Sequence, residues 1–138
     1  WKKGTITNPN PSLYDGVYES YSNKNVNSSA AAMTINLFNY DYFHFYVRSY
    51  GENNWDYVMV SQLDTNITSG TSYGDTSLVK AHTRGLATSG TAIENYVHVE
   101  FDNISRGLHT INVLYRKDSS QHSGADRGYV IKKKNHFL

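Results

Sequence analysis

The sequence predicts an all-β fold, a single antiparallel β-sandwich of jelly-roll type with about eight strands. Three observations support this fold class. Short runs of residues alternate between apolar and polar side chains, as strands do when one face joins a core. The aromatic residues are dominated by 12 Tyr, and aromatic and β-branched side chains fit a pleated sheet. Segments rich in Asn, Gly and Ser separate the alternating runs, and these residues favour turns.

The alternating runs predict where the strands lie along the chain. We expect strands at residues 16–22, 30–38, 43–48, 57–61, 78–83, 93–101, 109–117 and 129–131. The two runs around the polar loop 51–54 predict a β-hairpin, because a short loop containing Gly and Asn joins them. The runs 93–101 and 109–117 predict a second hairpin for the same reason.

The length of 138 residues predicts one domain with a core that needs no metal ion or disulfide. We expect an extended arm or linker at residues 1–15, the β-sandwich at 16–134 and a short tail at 135–138. Because the chain begins at Trp1 without an initiator Met, we also expect it to be a processed product or a piece of a longer protein.

Composition and charge exclude several classes of function. The net charge is +1 and the basic residues are scattered apart from residues 132–134, so no nucleic acid partner is expected. With 0 Cys, a disulfide framework and thiolate metal sites are excluded. No apolar run approaches the roughly 20 residues of a membrane span, so membrane insertion is not expected.

No catalytic pattern is evident, and we expect the protein not to be an enzyme. Ser, His and Asp are plentiful, but no nucleophile elbow accompanies them. Glu52 and Asp56 flank the loop 51–54 and resemble the paired carboxylates of a glycosidase. Because Asp and Asn at the end of a hairpin commonly bond to their own backbone, we favour a structural role in the turn for Glu52 and Asp56.

Histidines and carboxylates raise the question of a bound metal. His98 and Glu100 are two residues apart on a strand and share a face, so a zinc ion would need only a third ligand such as His44 or His109. No sequence spacing identifies that third ligand. We therefore favour histidines that form hydrogen bonds with neighbouring side chains on the sheet.

Calcium is the cation that the loops suit better, since carboxylates and carbonyl oxygens are its usual ligands. The candidate ligands are Glu52, Asp64, Asp75, Asp118 and Asp126. None of these loops has EF-hand spacing, so no cofactor is expected, with a structural calcium ion left open.

A glycan-binding surface is the sharper hypothesis. Sugar rings stack on aromatic planes, and their hydroxyls pair with amides, Asp and Arg. The candidate glycan-binding residues are Tyr46, Arg48, Trp55, Tyr57, Tyr73, His82 and Arg84. For Trp55 and Tyr57 we favour core or rim packing over a ligand contact, whereas Tyr73 stands in a polar loop and is expected to be exposed.

Four phrases carry a resemblance to a known family. FYVRSYGE, WDYVMVSQLD, GLHTINVLYRKDSS and SGADRGYVIK resemble a β-sandwich module of surface proteins from gut Bacteroides-type bacteria and their crAss-like phages, over residues 17–133. The run WDYV also resembles the DY-containing strand of CUB-like domains, without their cysteines. The resemblance implies a non-catalytic, outward-displayed domain used for attachment or assembly. It also implies a loop-fixing or ligand role for Glu52, Asp56, Asp118 and Asp126.

Together these observations predict a surface-displayed adhesion module of a phage virion or bacterial surface protein. We expect it to bind glycans, or a protein partner on a cell surface or within a virion, at an extracellular location. Its loops 64–76, 84–92 and 118–127 would supply the contacts with the partner. The sequence leaves open whether the chain forms homo-oligomers. Two alternatives are a purely structural capsid-decoration or fibre domain and a small glycoside hydrolase.

Overall fold

The computed structural model describes residues 1–3, 14–20, 28–50, 56–68, 70–71, 78–83, 97–118 and 127–133. These residues form strands at most of the expected positions. The strands are β1 (Lys2–Lys3), β2 (Tyr14–Glu19), β3 (Ser29–Phe38), β4 (Phe43–Tyr50), β5 (Tyr57–Ser61), β6 (Leu78–Thr83), β7 (Val97–Phe101), β8 (Leu108–Lys117) and β9 (Arg127–Lys133).

The strands form two antiparallel sheets. The first sheet has the order β1-β2-β9-β4-β7, and the second has the order β3-β8-β5-β6. Every described strand pair is antiparallel. The expected all-β fold is therefore confirmed, and its two sheets are consistent with a β-sandwich. The part of the chain that the structure describes contains no helix long and apolar enough to span a membrane.

The core lies between the two sheets and takes side chains from both. The alternating residues of each strand supply it, because successive side chains of a strand point to opposite faces. Its buried members are Leu37, Phe43, Phe45, Val47, Val58, Val60, Val99, Phe101, Ile104, Ile111, Val113, Tyr115 and Val130. Alternation along the sequence thus identified the buried face of most strands correctly.

The two expected hairpins are wrong. β4 lies in the first sheet and β5 in the second, and β7 and β8 are divided in the same way. In each case both strands bury their apolar face in the one core, but they approach it from opposite sides. Alternation specifies which face of a strand is buried and carries no information about its partner. The described hairpin-like pairs of consecutive strands are instead β1 with β2 and β5 with β6.

The start of the chain is fixed to the sandwich. The Trp1 indole Nε1–H donates a hydrogen bond to the Ala31 carbonyl at 3.0 Å, and its ring packs against the core. Gly128 of β9 makes room nearby, because a Cβ atom there would lie 2.7 Å from the Val58 Cγ2 atom and 3.0 Å from the Tyr115 Cβ atom. The close approach of these strands therefore requires glycine at this position.

Two connections are joined at one end of the sandwich. The Asn39 amide donates to the Gly107 carbonyl at 3.1 Å, and the Gly107 amide donates to the Asn39 side-chain oxygen at 2.9 Å. Both residues have positive φ, 60° for Asn39 and 111° for Gly107, a conformation that Asn and Gly tolerate best. The Ile104 amide also donates to the Asp41 carbonyl at 3.1 Å. These bonds fix the residues that lead into β4.

Candidate functional site

A group of aromatic, histidine and carboxylate side chains lies on the outer face of the first sheet. We call it the β4–β7 patch, and it consists of Tyr42, His44, Tyr46, His98 and Glu100. In both strands the odd-numbered residues enter the core, so the even-numbered residues project outward. The antiparallel register places His44 opposite Glu100 and Tyr46 opposite His98. Residues that are far apart in the sequence therefore meet on one surface.

The side chains of the patch contact one another in a continuous chain. The Tyr42 hydroxyl donates to Glu100 Oε2 at 2.8 Å, and Glu100 Oε1 lies 3.4 Å from His98 Nδ1. The other ring nitrogen of His98, Nε2, lies 2.8 Å from His44 Nδ1. Tyr46 stacks on His98 with ring centroids 4.6 Å apart and an angle of 20° between the planes. The rings are thus held in defined orientations.

The patch is open to solvent and polar at its rim. Tyr42 is 42% exposed, and the Glu100 side chain is 55% exposed. The hydrogen bond to the Glu100 carboxylate raises the pKa of Tyr42 above its ordinary value of 10.0, because the bond favours the protonated phenol. At neutral pH the patch therefore offers ring faces, a hydroxyl and a carboxylate side by side.

Among the expected glycan-binding residues that the structure describes, Tyr46 belongs to the patch. Arg48 and Tyr57 are only 1% and 4% exposed, so neither lies on an exposed platform, and the expectation of an accessible Arg48 is wrong. Arg48 shares the outer side of β4 with Tyr46 but is covered. Of His82 only the backbone is described, opposite Val58 in the register of β5 and β6.

The remaining glycan candidates, Trp55, Tyr73 and Arg84, lie outside the described residues. Tyr57 is buried because residues 62–68 pass over the outer face of the second sheet. Its ring packs with Met59, Ile67 and Leu114, and the Arg116 guanidinium lies 4.4 Å from the ring centroid. The packing role that was favoured for Tyr57 from the sequence is the one found.

The candidate calcium ligands Asp64 and Asp118 lie at opposite ends of β8. Asp64 accepts a hydrogen bond from the Thr110 amide at 2.9 Å, and Asp118 follows the last residue of that strand. Asp118 is eight residue steps from Thr110 along the extended chain, roughly 26 Å, so Asp64 and Asp118 do not share an ion. Glu52, Asp75 and Asp126 lie outside the described residues. Within the described ranges no group of three or more His, Asp and Glu side chains is arranged to hold a metal ion.

Asp56 has the contacts of a residue that fixes backbone. It is fully buried, and its Oδ1 accepts a hydrogen bond from the Asp118 amide at 2.9 Å. Lys117 Nζ lies 3.8 Å from Asp56 Oδ1 and 2.9 Å from Asp118 Oδ1. These contacts match the structural role favoured for Asp56 from the sequence. Its proposed glycosidase partner, Glu52, lies outside the described residues.

Asp64, His109 and Ser105 are arranged in the order of a hydrolase triad. His109 Nδ1 lies 2.7 Å from Asp64 Oδ2, and His109 Nε2 lies 3.1 Å from Ser105 Oγ. However, Nε2 also lies 2.9 Å from the Ser105 carbonyl oxygen, which only accepts, so that contact requires a proton on Nε2. A general base would need its lone pair on this nitrogen. The geometry therefore suits a histidine that ties two loops together.

The same contacts shift both pKa values of the pair. The hydrogen bond to Asp64 raises the pKa of His109, and the Ser105 carbonyl adds to this while partial desolvation opposes it. The hydrogen bond from His109 lowers the pKa of Asp64, with a further contribution from the Thr110 amide. Both shifts favour the ion pair, as expected for opposite charges in contact.

Tyr42 and the contact between His44 and His98 were not identified as a glycan site from the sequence. The alternating segments 42–46 and 98–100 contain the signal, because residues two apart share a face. What the sequence did not contain was the pairing of β4 with β7, which brings the two segments together.

Comparison of the chain with protein-family models, with curated proteins and with solved structures finds no significant match. The β4–β7 patch therefore has to be interpreted from its own residues and contacts.

Proposed function

We propose that this chain is a non-catalytic adhesion module that binds glycans through the β4–β7 patch. The observation that carries the proposal is the presence of partly exposed rings beside an exposed carboxylate. Sugar rings present C–H faces that pack on aromatic planes, and their hydroxyls donate to carboxylates. Tyr42 supplies an open ring, Tyr46 and His98 supply a stacked pair, and Glu100 supplies the acceptor.

We further propose that the sandwich is a jelly roll. The strand orders β2-β9-β4-β7 and β3-β8-β5-β6 support this topology, since each sheet alternates strands from the two halves of the chain, as interleaved Greek keys do. Jelly rolls serve as lectin domains and as viral capsid domains. The topology is thus compatible with attachment and with assembly.

The proposed mechanism is passive binding by a rigid surface. β4 and β7 are paired along Phe43 to Val47, so all of the patch except Tyr42, which directly precedes β4, is built on strands and needs little ordering when a ligand binds. A shallow site of a few side chains binds a single sugar weakly. Display of many copies on a virion or cell surface would raise the overall affinity. This extracellular placement follows the resemblance to surface modules of Bacteroides-type bacteria and crAss-like phages, which stays a prediction.

A glycan array probed with a multivalent form of the chain tests the proposal. We expect binding to a restricted set of glycans and a loss of about tenfold in affinity for Tyr46→Ala, since one stacked ring is worth about 1.4 kcal/mol. Phe38→Ala is the matched control, because Phe38 is an exposed aromatic residue of the second sheet. Equal loss in both variants, or no binding to any glycan, would contradict the proposal.

A purely structural role is the second candidate, and a different surface favours it. Phe38 and Leu108 lie opposite each other in the register of β3 and β8 and are 66% and 64% exposed. β3 is also the end strand of the second sheet as described. Charged residues and proline usually protect a sheet edge from pairing with another chain, and the ten residues of β3 include neither. Apolar residues at an end strand suit contact with another chain.

Sedimentation velocity separates the two candidates. The structural role predicts self-association that weakens in the double variant Phe38→Ser/Leu108→Ser. Glycan binding should be unchanged by those substitutions. A chain that stays monomeric at all accessible concentrations and binds glycans would favour the adhesion module alone.

A further inference from the structure

One of the short polar contacts in the β4–β7 patch joins two histidines. His44 and His98 lie on adjacent strands, one diagonal step apart in the register, and their facing nitrogens are 2.8 Å apart. Two imidazole nitrogens at this separation share either a proton or a cation, because two lone pairs alone would repel. The rings meet at 82°.

The neighbours of His98 select the nitrogen that faces His44. Glu100 Oε1 lies near His98 Nδ1 at 3.4 Å, which favours a proton on that nitrogen and leaves the lone pair on Nε2. The Tyr42 hydroxyl donates a hydrogen bond to the other carboxylate oxygen of Glu100, and the Tyr46 ring stacks on the His98 ring. A carboxylate on the far nitrogen of a histidine is the arrangement that orients metal-binding imidazoles.

The distance between the nitrogens fits one class of metal geometry. Two nitrogens bound to one ion at about 2.0 Å and about 90° are about 2.8 Å apart, whereas a tetrahedral angle separates them by about 3.3 Å. Right-angled coordination by nitrogen and oxygen is typical of Cu²⁺ and Ni²⁺, and Cu²⁺ binds such ligands most tightly among the divalent first-row ions.

We propose that His44 Nδ1 and His98 Nε2 form a two-histidine site for a divalent transition metal ion, with Cu²⁺ preferred over Zn²⁺. On binding, His44 carries its proton on Nε2 and directs the Nδ1 lone pair at the ion. Glu100 acts as the positioning residue through His98 Nδ1. Two protein nitrogens leave the remaining coordination positions to water or to a ligand oxygen. The proposal does not depend on glycan binding, since it concerns the metal alone.

Titration of the purified chain with CuCl₂, NiCl₂ and ZnCl₂ tests the site. We expect one Cu²⁺ per chain at this site, an electron paramagnetic resonance spectrum with hyperfine coupling to two imidazole nitrogens, and weaker binding of Zn²⁺. His44→Ala and His98→Ala should each remove one nitrogen coupling and weaken Cu²⁺ binding by at least about tenfold. Glu100→Gln should weaken it by about tenfold with both couplings retained.

Controls separate this site from other histidines. His109→Ala should leave both couplings unchanged, because His109 contacts Asp64 and Ser105 at the start of β8. A triple variant, His82→Ala/His122→Ala/His136→Ala, should also retain them. Metal-free melting temperatures show whether each variant is folded. Cu²⁺ affinity unchanged in both His44→Ala and His98→Ala, or lost in the triple variant, would overturn the proposal. Retained Cu²⁺ binding beside a negative glycan array would overturn only the proposed function.

Discussion

The outer faces of the two sheets carry similar residues but have different surroundings. On the first sheet, Tyr42 of the β4–β7 patch is exposed to solvent and Tyr46 is partly exposed. On the second sheet Tyr57 occupies an equivalent outward position and is buried with Met59, Ile67 and Leu114. The difference is the segment 62–68, which lies over β5 and β8. Whether an outward tyrosine is available to a ligand thus depends on a loop that strand patterning does not describe.

The covering segment is held by specific hydrogen bonds. The Asn112 side-chain amide donates to the Thr65 carbonyl at 2.8 Å, and Arg116 donates to the Thr71 carbonyl at 3.0 Å. Asp64 exchanges backbone and side-chain bonds with Thr110. The long polar loop at residues 64–76 was expected to be functional. In its described part it serves mainly to bury the outer face of β5 and β8.

The largest expected effect tests whether the covered face is a true core. Met59→Ala should lower the free energy of unfolding by about 3 kcal/mol, because a fully buried side chain leaves a cavity between the sheet and the loop. Tyr46→Ala on the open face should cost about 1 kcal/mol or less. Urea denaturation of both variants measures the difference. Similar losses in the two variants would mean that the faces are not distinct.

A smaller effect is expected where the loop is pinned. Asn112→Ala removes the bond to the Thr65 carbonyl and the bond from the Thr34 hydroxyl, and should cost about 1–2 kcal/mol. Amide hydrogen exchange should rise in residues 63–68 before it rises in the strands. Asn36→Ala, an exposed asparagine of β3, is the control. Exchange that is unchanged in the loop would show that Asn112 does not hold it.

The pair of Asp64 and His109 should make the attachment of the loop depend on pH. The raised pKa of His109 means that its stabilising contribution is complete below 6.5, its ordinary value, and declines as pH rises through the raised pKa. The lowered pKa of Asp64 means that its contribution is complete above 3.8 and is lost as pH falls through the lowered pKa.

The contribution of the pair is therefore largest between these two pH values. The difference in melting temperature between wild type and His109→Ala, followed from pH 3 to pH 9, should show a maximum in that window. The Asp64 side chain is 51% exposed and that of His109 is 16% exposed, so solvent screens the pair, and the effect is small and should shrink with added salt. A difference that is constant across the whole range would contradict the ion pair.

The smallest expected effect lies on the open face. Glu100→Gln removes the negative charge beside the Tyr42 hydroxyl, so the pKa of Tyr42 should fall towards its ordinary value of 10.0. Titration of the ring signals of ¹³C-labelled tyrosine by NMR measures the shift, with Tyr42→Phe to assign the signal. Stability should change by less than about 0.5 kcal/mol. An unshifted Tyr42 would show that the contact with Glu100 does not persist in solution.

The strands were predictable from the sequence because burial repeats with the period of the pleat. Phe43, Phe45 and Val47 are buried while His44 and Tyr46 are not fully buried, as their alternation indicates. The pairing of the strands was not predictable, because any apolar face fits the same core from either side. This explains why both hairpins were wrong and why the all-β class was nevertheless right.

The candidate site could be predicted only in part for the same reason. Tyr46 was identified by its outward position on a strand, a local property. Arg48 has the same local position but is covered, and Tyr57 is covered by a segment that follows it in the chain. The proximity of His44 to His98 depends on the neighbour of β4 in the sheet. The local sequence pattern indicates which face of the sheet a side chain is on. Its solvent exposure and its neighbours depend on the tertiary structure.

The last two strands that the structure describes, β8 and β9, occupy interior positions in the two sheets. β8 pairs with both β3 and β5, and β9 pairs with both β2 and β4. During synthesis neither sheet can therefore be completed until these strands have left the ribosome. Earlier strands must wait with unpaired edges, a state that invites aggregation, and the long sequence separations slow folding to roughly milliseconds to seconds.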